Sequence, residues 1–223
     1  MDRLHRIRLL FGEENIKTLQ SKTVMVVGCG AVGSFAIEAL ARSGIGNIIL
    51  VDFDVVEESN INRQLFALQS MIGKPKVDVA RARIADISPD INVTTFNMFW
   101  DDKSDPDVHP DFVIDAIDSV HSKIALYRWC VAKNIPFVAS MGAAQKTDIS
   151  KIKIDKISKT TVCPLAAKIR KLVRDENLPD FPVVYSTQSP IKNDTGVLGS
   201  VITVTGNFGL YLANFVTDKL MSK

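Results

Sequence analysis

A doubly wound α/β fold with a mainly parallel sheet is predicted by three observations. Apolar runs of strand length alternate with helix-period stretches between residues 23 and 140. A glycine-rich turn, GCGAVG (28–33), joins the first run to the first helical stretch. Asp52 ends the next run, where a strand-end carboxylate can meet both hydroxyls of a ribose.

The elements follow in order. TVMVVG (23–28) has the continuous apolar character of a strand buried on both faces, and SFAIEALARSG (34–44) reads as a helix closed by a glycine cap. NIILVD (47–52) is the second strand. Lys74-Pro75-Lys76 opens a helix, since proline in the first turn gives up an N–H that has no partner there, and VDVARARIADI continues it. INVTTFNMF (91–99) and DFVIDAID (111–118) are strands, followed by a helix through YRWCVAKN and a strand PFVAS (136–140). These five βα steps describe a Rossmann-like sheet whose ligand is expected at the carboxyl ends of the strands. Beyond them, VITV (201–204) reads as a buried strand and 208–220 as a buried helix, a C-terminal strand-and-helix extension.

At 223 residues and 46% apolar, the chain can build one substantial core, and no linker divides it. The N-terminal MDRLHRIRLLFGEEN is too charged for a secretory signal. Residues 195–217 carry no charge, yet their four glycines and seven Ser, Thr or Asn residues make a poor membrane span. Three scattered cysteines include no CxxC pair, which excludes a zinc ribbon and favours a reducing, cytoplasmic setting. Cys29 and Cys130 read as small buried hydrophobes. Charge is uneven: residues 1–145 hold 15 Lys/Arg against 18 Asp/Glu, whereas residues 146–174 hold 9 against 2.

Gly28, Gly30 and Gly33 would let backbone approach a phosphate at a helix N-terminus. Asp52, with Asp54 beside it, would take the ribose. Arg63, in the run Asn60-Ile61-Asn62-Arg63-Gln64, and Lys76 would fold back over the phosphates. That counter-charge suits a triphosphate better than the pyrophosphate of a nicotinamide cofactor. Asp118 reads either as a helix N-cap or as a magnesium ligand facing the phosphates.

GCGAVGS, DFD, NxxRQ (60–64), GKPKV (73–77) and DAIDS together resemble the ubiquitin-activating-enzyme-like superfamily, which adenylates carboxylates with magnesium-ATP. RLLFGEEN (8–15), EALARSGIGNIILVDFD (38–54), DAIDSVHSKIAL (115–126), PLAAKIRK (164–171) and PVVYST (182–187) narrow it, being similar to the tRNA threonylcarbamoyladenosine dehydratases. The resemblance implies one adenylating domain over 1–223, with 1–145 the nucleotide-binding half and 146–223 the substrate-binding and dimer half. It implies ATP and Mg2+ as cofactors, with tRNA and a second copy of the chain as partners. It also leaves room for a cysteine-desulfurase-associated partner protein. By position it makes Asp52 the ribose ligand, Asn60 and Arg63 phosphate binders, Lys76 the phosphate lysine and Asp118 the magnesium aspartate. An N-terminal arginine, Arg6 before Arg8, would reach the ATP of the partner copy. The competing functions are adenylation of a ubiquitin-like sulfur carrier, which the missing CxxC pairs disfavour, nicotinamide oxidoreduction, and an idle tRNA-binding module. The segment 146–174, with SKIKIDKIS (150–158) as an extended strand, is expected to carry the main tRNA contact.

Overall fold

The computed structural model describes residues 2–191 and 194–222. Its strands are β1 Thr23–Val27, β2 Asn47–Asp52, β3 Asn92–Asn97, β4 Phe112–Asp115, β5 Phe137–Ser140, β6 Ile152–Lys156 and β7 Pro182–Ser186. Its helices are α1 His5–Phe11, α2 Glu13–Ser21, α3 Gly33–Ser43, α4 Lys76–Ile87, α5 Val120–Ala132, α6 Pro164–Asp175 and α7 Ile202–Met221. The strands form one sheet in the order β3-β2-β1-β4-β5-β7-β6. Every neighbouring pair is parallel except β6 with β7, at the sheet edge.

The apolar runs of β1, β2 and β4 are buried along most of their length, because helices cover both faces. On one face Ile37 and Leu40 of α3, Ile84 of α4 and Phe208 and Leu212 of α7 pack on Val24, Val26 and Ile48. On the other, Leu126 and Tyr127 of α5 and Ile169 and Val173 of α6 pack with Met25, Ile49 and Val113. Strand order reverses between β1 and β4, which opens a crevice at their carboxyl ends.

Several expectations need correction. Residues 201–204 are not a strand: 202–221 form the single helix α7. The β-branched run suits a strand by propensity, but the buried Val204, Phe208, Leu212 and Val216 recur every four residues, so packing decides. Gly206 and Gly209 let α7 close on α3; a Cβ on Gly209 would lie 2.3 Å from the Val32 carbonyl oxygen. Among the described residues no helix is long and apolar enough to cross a membrane. The third βα step lacks its helix, because 98–111 is a loop rich in Asp and Pro that tucks Trp100 against Trp129. The strand expected over 111–118 ends at Asp115, and Ser119, not Asp118, caps α5 by accepting from the Ser122 N–H. The extended segment 150–158 shortens to Ile152–Lys156 between two 3-10 turns. The C-terminal extension therefore adds β7 and β6 to the same sheet, with α6 and α7 on opposite faces.

Candidate active site

The glycine turn is shaped by two close approaches. Gly28 has φ +95°, and a Cβ there would come within 2.7 Å of the Ala116 carbonyl oxygen. A Cβ on Gly33 would sit 1.8 Å from the Gly28 oxygen. Only hydrogen fits at either position, so the start of α3 is drawn in between β1 and β4. Gly28 and Gly30 line a cavity of about 460 Å³ at the strand carboxyl ends; Gly33 packs behind it.

Asp52 closes β2 and ties it to this turn. Its Oδ2 accepts from the Cys29 N–H at 2.6 Å and its Oδ1 from the Asp54 N–H at 2.8 Å. Burial raises its pKa, while those two N–H bonds and the nearby Lys76 work against the rise. Asp54 reaches across to Lys76, whose buried ammonium pairs with its Oδ2 at 2.6 Å.

Within the run 57–64, Glu58–Asn60 forms a 3-10 turn. The Asn60 side chain accepts from the Glu57 N–H at 3.2 Å, so it holds the turn and lies outside the cavity lining. Arg63 faces the cavity, its Nη1 donating to the Ser59 carbonyl at 2.7 Å and to Asn62 Oδ1 at 2.9 Å. The turn is fastened to α3 by the Leu65 N–H, which donates to Ser34 Oγ at 3.1 Å. Gln64 also lines the cavity, buried beside Gly30. It went unassigned in the sequence, although it stands next to Arg63 in the same polar run.

Asp118 lies exposed on the rim, its carboxylate without a hydrogen bond or ion pair among the described residues. It is therefore free for a hard cation, which would complete its coordination with phosphate oxygens and water. No group of three His, Cys, Asp or Glu side chains poised for a metal occurs among the described residues.

Beneath this rim is a buried group that sequence reasoning missed. Lys123 Nζ, fully buried on α5, pairs with Asp115 Oδ2 at 2.8 Å and donates to the Ser140 carbonyl at 2.7 Å. Tyr127 donates to the same Oδ2 at 2.5 Å, and the Ile117 N–H to Oδ1 at 3.0 Å. Burial, followed by the Asp115 charge, pushes the Tyr127 phenol well above its ordinary pKa, so it stays a donor. Through Lys123, this carboxylate thus ties the end of β4 to the end of β5, beyond which Asp118 and the 141–144 wall lie. The only hint in the sequence is the spacing of Asp115, Lys123 and Tyr127, with the last two four apart on one helix face.

Over the cavity lies the segment 198–200. The Gln145 N–H donates to the Gly199 carbonyl at 2.7 Å, and Asn62 Nδ2 to the Ser200 carbonyl at 3.3 Å. Leu198 and Ser200 line the cavity. Arg6 is exposed on α1, outside this cavity and without a hydrogen-bond or ion-pair partner among the described residues. Arg8 is committed to Asp2 at 3.0 Å and Glu13 at 2.7 Å. The thiols of Cys29 and Cys130 are pushed up by burial and stay protonated.

A glycine turn, a strand-end aspartate, two cations and a free rim carboxylate around one crevice define a nucleotide-binding α/β protein. More narrowly, the chain belongs to the ThiF family, whose model matches residues 2–217. It is 47% identical over 190 residues to the tRNA threonylcarbamoyladenosine dehydratase of Bacillus subtilis, covering 83% of this chain and 75% of that protein. The crystal structure of the Escherichia coli tRNA N6-threonylcarbamoyladenosine dehydratase in complex with ATP superimposes with TM-score 0.92 at 35% identity, covering 98% of this chain and 93% of that one. The molybdopterin-synthase adenylyltransferase of Escherichia coli matches over a shorter span, 35% identical across 60% of this chain and 54% of that protein.

Proposed function

We propose that this chain is an ATP-dependent tRNA threonylcarbamoyladenosine dehydratase. The observation that carries the reading is the convergence of Asp52, Arg63, Lys76 and Asp118 on one crevice, in a chain that aligns nearly end to end with a dehydratase solved with ATP. The modified adenosine carries a carboxylate. One of its oxygens attacks the α-phosphorus of ATP, and pyrophosphate leaves. An internal nucleophile of the same modification then attacks the acyl carbon, and the original oxygen departs with AMP, so the net loss is water. Asp52 holds the ribose, Arg63 and Lys76 meet charge that builds on the phosphates, and Asp118 holds Mg2+. Lys76 would exchange its bond to Asp54 for one to phosphate. Asn60 acts through the turn that presents Arg63. Incubation of tRNA bearing uncyclised threonylcarbamoyladenosine with protein and ATP should yield the cyclised nucleoside by mass spectrometry; its absence, with ATP also unconsumed, would refute the assignment.

Nucleotide choice is checked separately. Titration calorimetry with magnesium-ATP should give binding that Asp52→Ala removes. Tighter binding of NAD than of ATP would instead support an oxidoreductase.

The active unit in this proposal is a homodimer, in which Arg6 enters the ATP site of the other copy. Supporting it, Leu9 and Leu10 on α1 and Ile202, Leu210 and Tyr211 on α7 are exposed apolar side chains on neighbouring elements, since α2 joins α1 and packs on α7. Leu210→Glu with Tyr211→Glu should halve the mass measured by light scattering. A wild-type monomer at micromolar concentration would count against the dimer.

A further inference from the structure

We infer that the outer surface of β6 and α6 is the face on which the polynucleotide chain of tRNA docks; the inference rests on the proposed function. The nine cations of 146–174 divide into three kinds. Lys146 is buried, with its Nζ on the Gln188 carbonyl at 2.7 Å, and Arg170 donates to the Thr160 carbonyl at 2.7 Å. Those two hold the fold. Arg174 lies 3.6 Å from Asp175. The other six, Lys151, Lys153, Lys156, Lys159, Lys168 and Lys171, are exposed and make no ion pair among the described residues. Surface cations elsewhere are mostly neutralised: Arg8, Arg42, Arg81, Arg83, Arg128 and Lys133 each meet an acid at 2.6–3.0 Å. Arg3, Arg6, Arg63, Lys74, Lys103 and Lys219 also lack an ion pair among the described residues but are scattered along the chain, whereas six such lysines fall within 151–171.

Topology puts part of it on a single side of the sheet. Lys153 is in register with Tyr185, which belongs to the apolar cluster under α6, whereas Ile152 and Ile154 turn to the α7 side. On α6, Ala166, Ile169 and Val173 are buried and Lys168 and Lys171 point outward. The helix begins at the cavity: Leu165 lines it, and Cys163 Sγ lies 3.4 Å from where a Gly142 side chain would start. The basic face therefore starts at the crevice rim and runs away from it, where phosphates on either side of an inserted nucleoside would pass. Lysine on an edge strand also guards against pairing with another sheet, which would explain Lys153 and Lys156. It does not explain Lys159, Lys168 or Lys171, which lie on no strand.

Lys153→Glu, Lys168→Glu and Lys171→Glu combined should leave the melting temperature and ATP affinity unchanged. The Kd for tRNA at low salt should rise tenfold or more. Each phosphate contact contributes about 0.7–0.9 to the log–log salt slope, so losing three should flatten it by roughly 2. The corresponding triple arginine variant should bind tRNA as wild type does. A glutamate variant that keeps wild-type tRNA affinity and slope overturns this surface, making it a protein-docking or solubility face, and leaves the enzymatic reading standing. Wild-type protein that fails to bind tRNA at low salt overturns both.

Discussion

Arg63→Ala and Asp118→Ala should each fold normally and form AMP at least a hundredfold more slowly than wild type. Both side chains face the crevice, and neither supports the core: among the described residues Arg63 bonds only to its own turn, and Asp118 is exposed on the rim. In the proposed mechanism charge grows on the departing pyrophosphate, where Arg63 would meet it directly and Asp118 through the Mg2+ it would hold. Losing one such contact costs roughly 2–4 kcal/mol of barrier. The assay is AMP release with saturating modified tRNA, with circular dichroism to show the fold intact. Near-normal AMP formation by either protein would remove its residue from the mechanism.

The second large effect is on stability. Lys123→Met should lower the melting temperature by roughly 10 °C. It leaves Asp115 charged and fully buried with no cation, a loss of about 3–5 kcal/mol, and each kcal/mol moves the midpoint of a chain this size by about 2–4 °C. The double variant Asp115→Asn with Lys123→Met removes both charges and should regain most of the loss, since an apolar or neutral pair of similar volume is tolerated. Calorimetry of wild type, single and double variants gives the comparison. If the single variant melts with wild type, Asp115 and Lys123 are not a coupled pair.

Much of this architecture was legible in the residues. The glycine turn, the alternation through residue 140 and the strand-end Asp52 are local signals with fixed spacing, and the doubly wound, mainly parallel class follows from them; the order of the strands and the antiparallel edge strand β6 do not. Asp52 could be singled out as a carboxylate closing a strand, Asp118 as one just beyond a strand, and Arg63 and Lys76 as paired cations placed to fold back over phosphates. What could not be read arises from packing between distant segments. The run 201–204 has strand propensity, and it is the burial of Val204, Phe208, Leu212 and Val216, with the close approach of Gly206 and Gly209 to α3, that makes 202–204 helical. Nothing local showed that Lys146 is buried while Lys168 is exposed, or that Asp115 would gather donors from α5 as well as from its own loop. The resemblance makes Asn60 a phosphate binder, and nothing in its local sequence showed that its amide oxygen accepts from the Glu57 N–H and holds the turn.

The crevice is held very differently on its two sides, and this sets how it can breathe. Its floor is fixed by Asp115, which collects an ammonium, a phenol and a backbone N–H out of reach of water, so those bonds part only when the two strands and α5 separate. Its roof at 198–200 is held, among the described residues, by one backbone hydrogen bond and one side-chain amide, both near the surface. Thermal fluctuations of small amplitude therefore lift the roof long before they disturb the floor. A bulky RNA nucleoside can enter and a cyclised one leave by transient unlatching of that segment, on the timescale of a loop, while the nucleotide-binding geometry underneath persists from one turnover to the next.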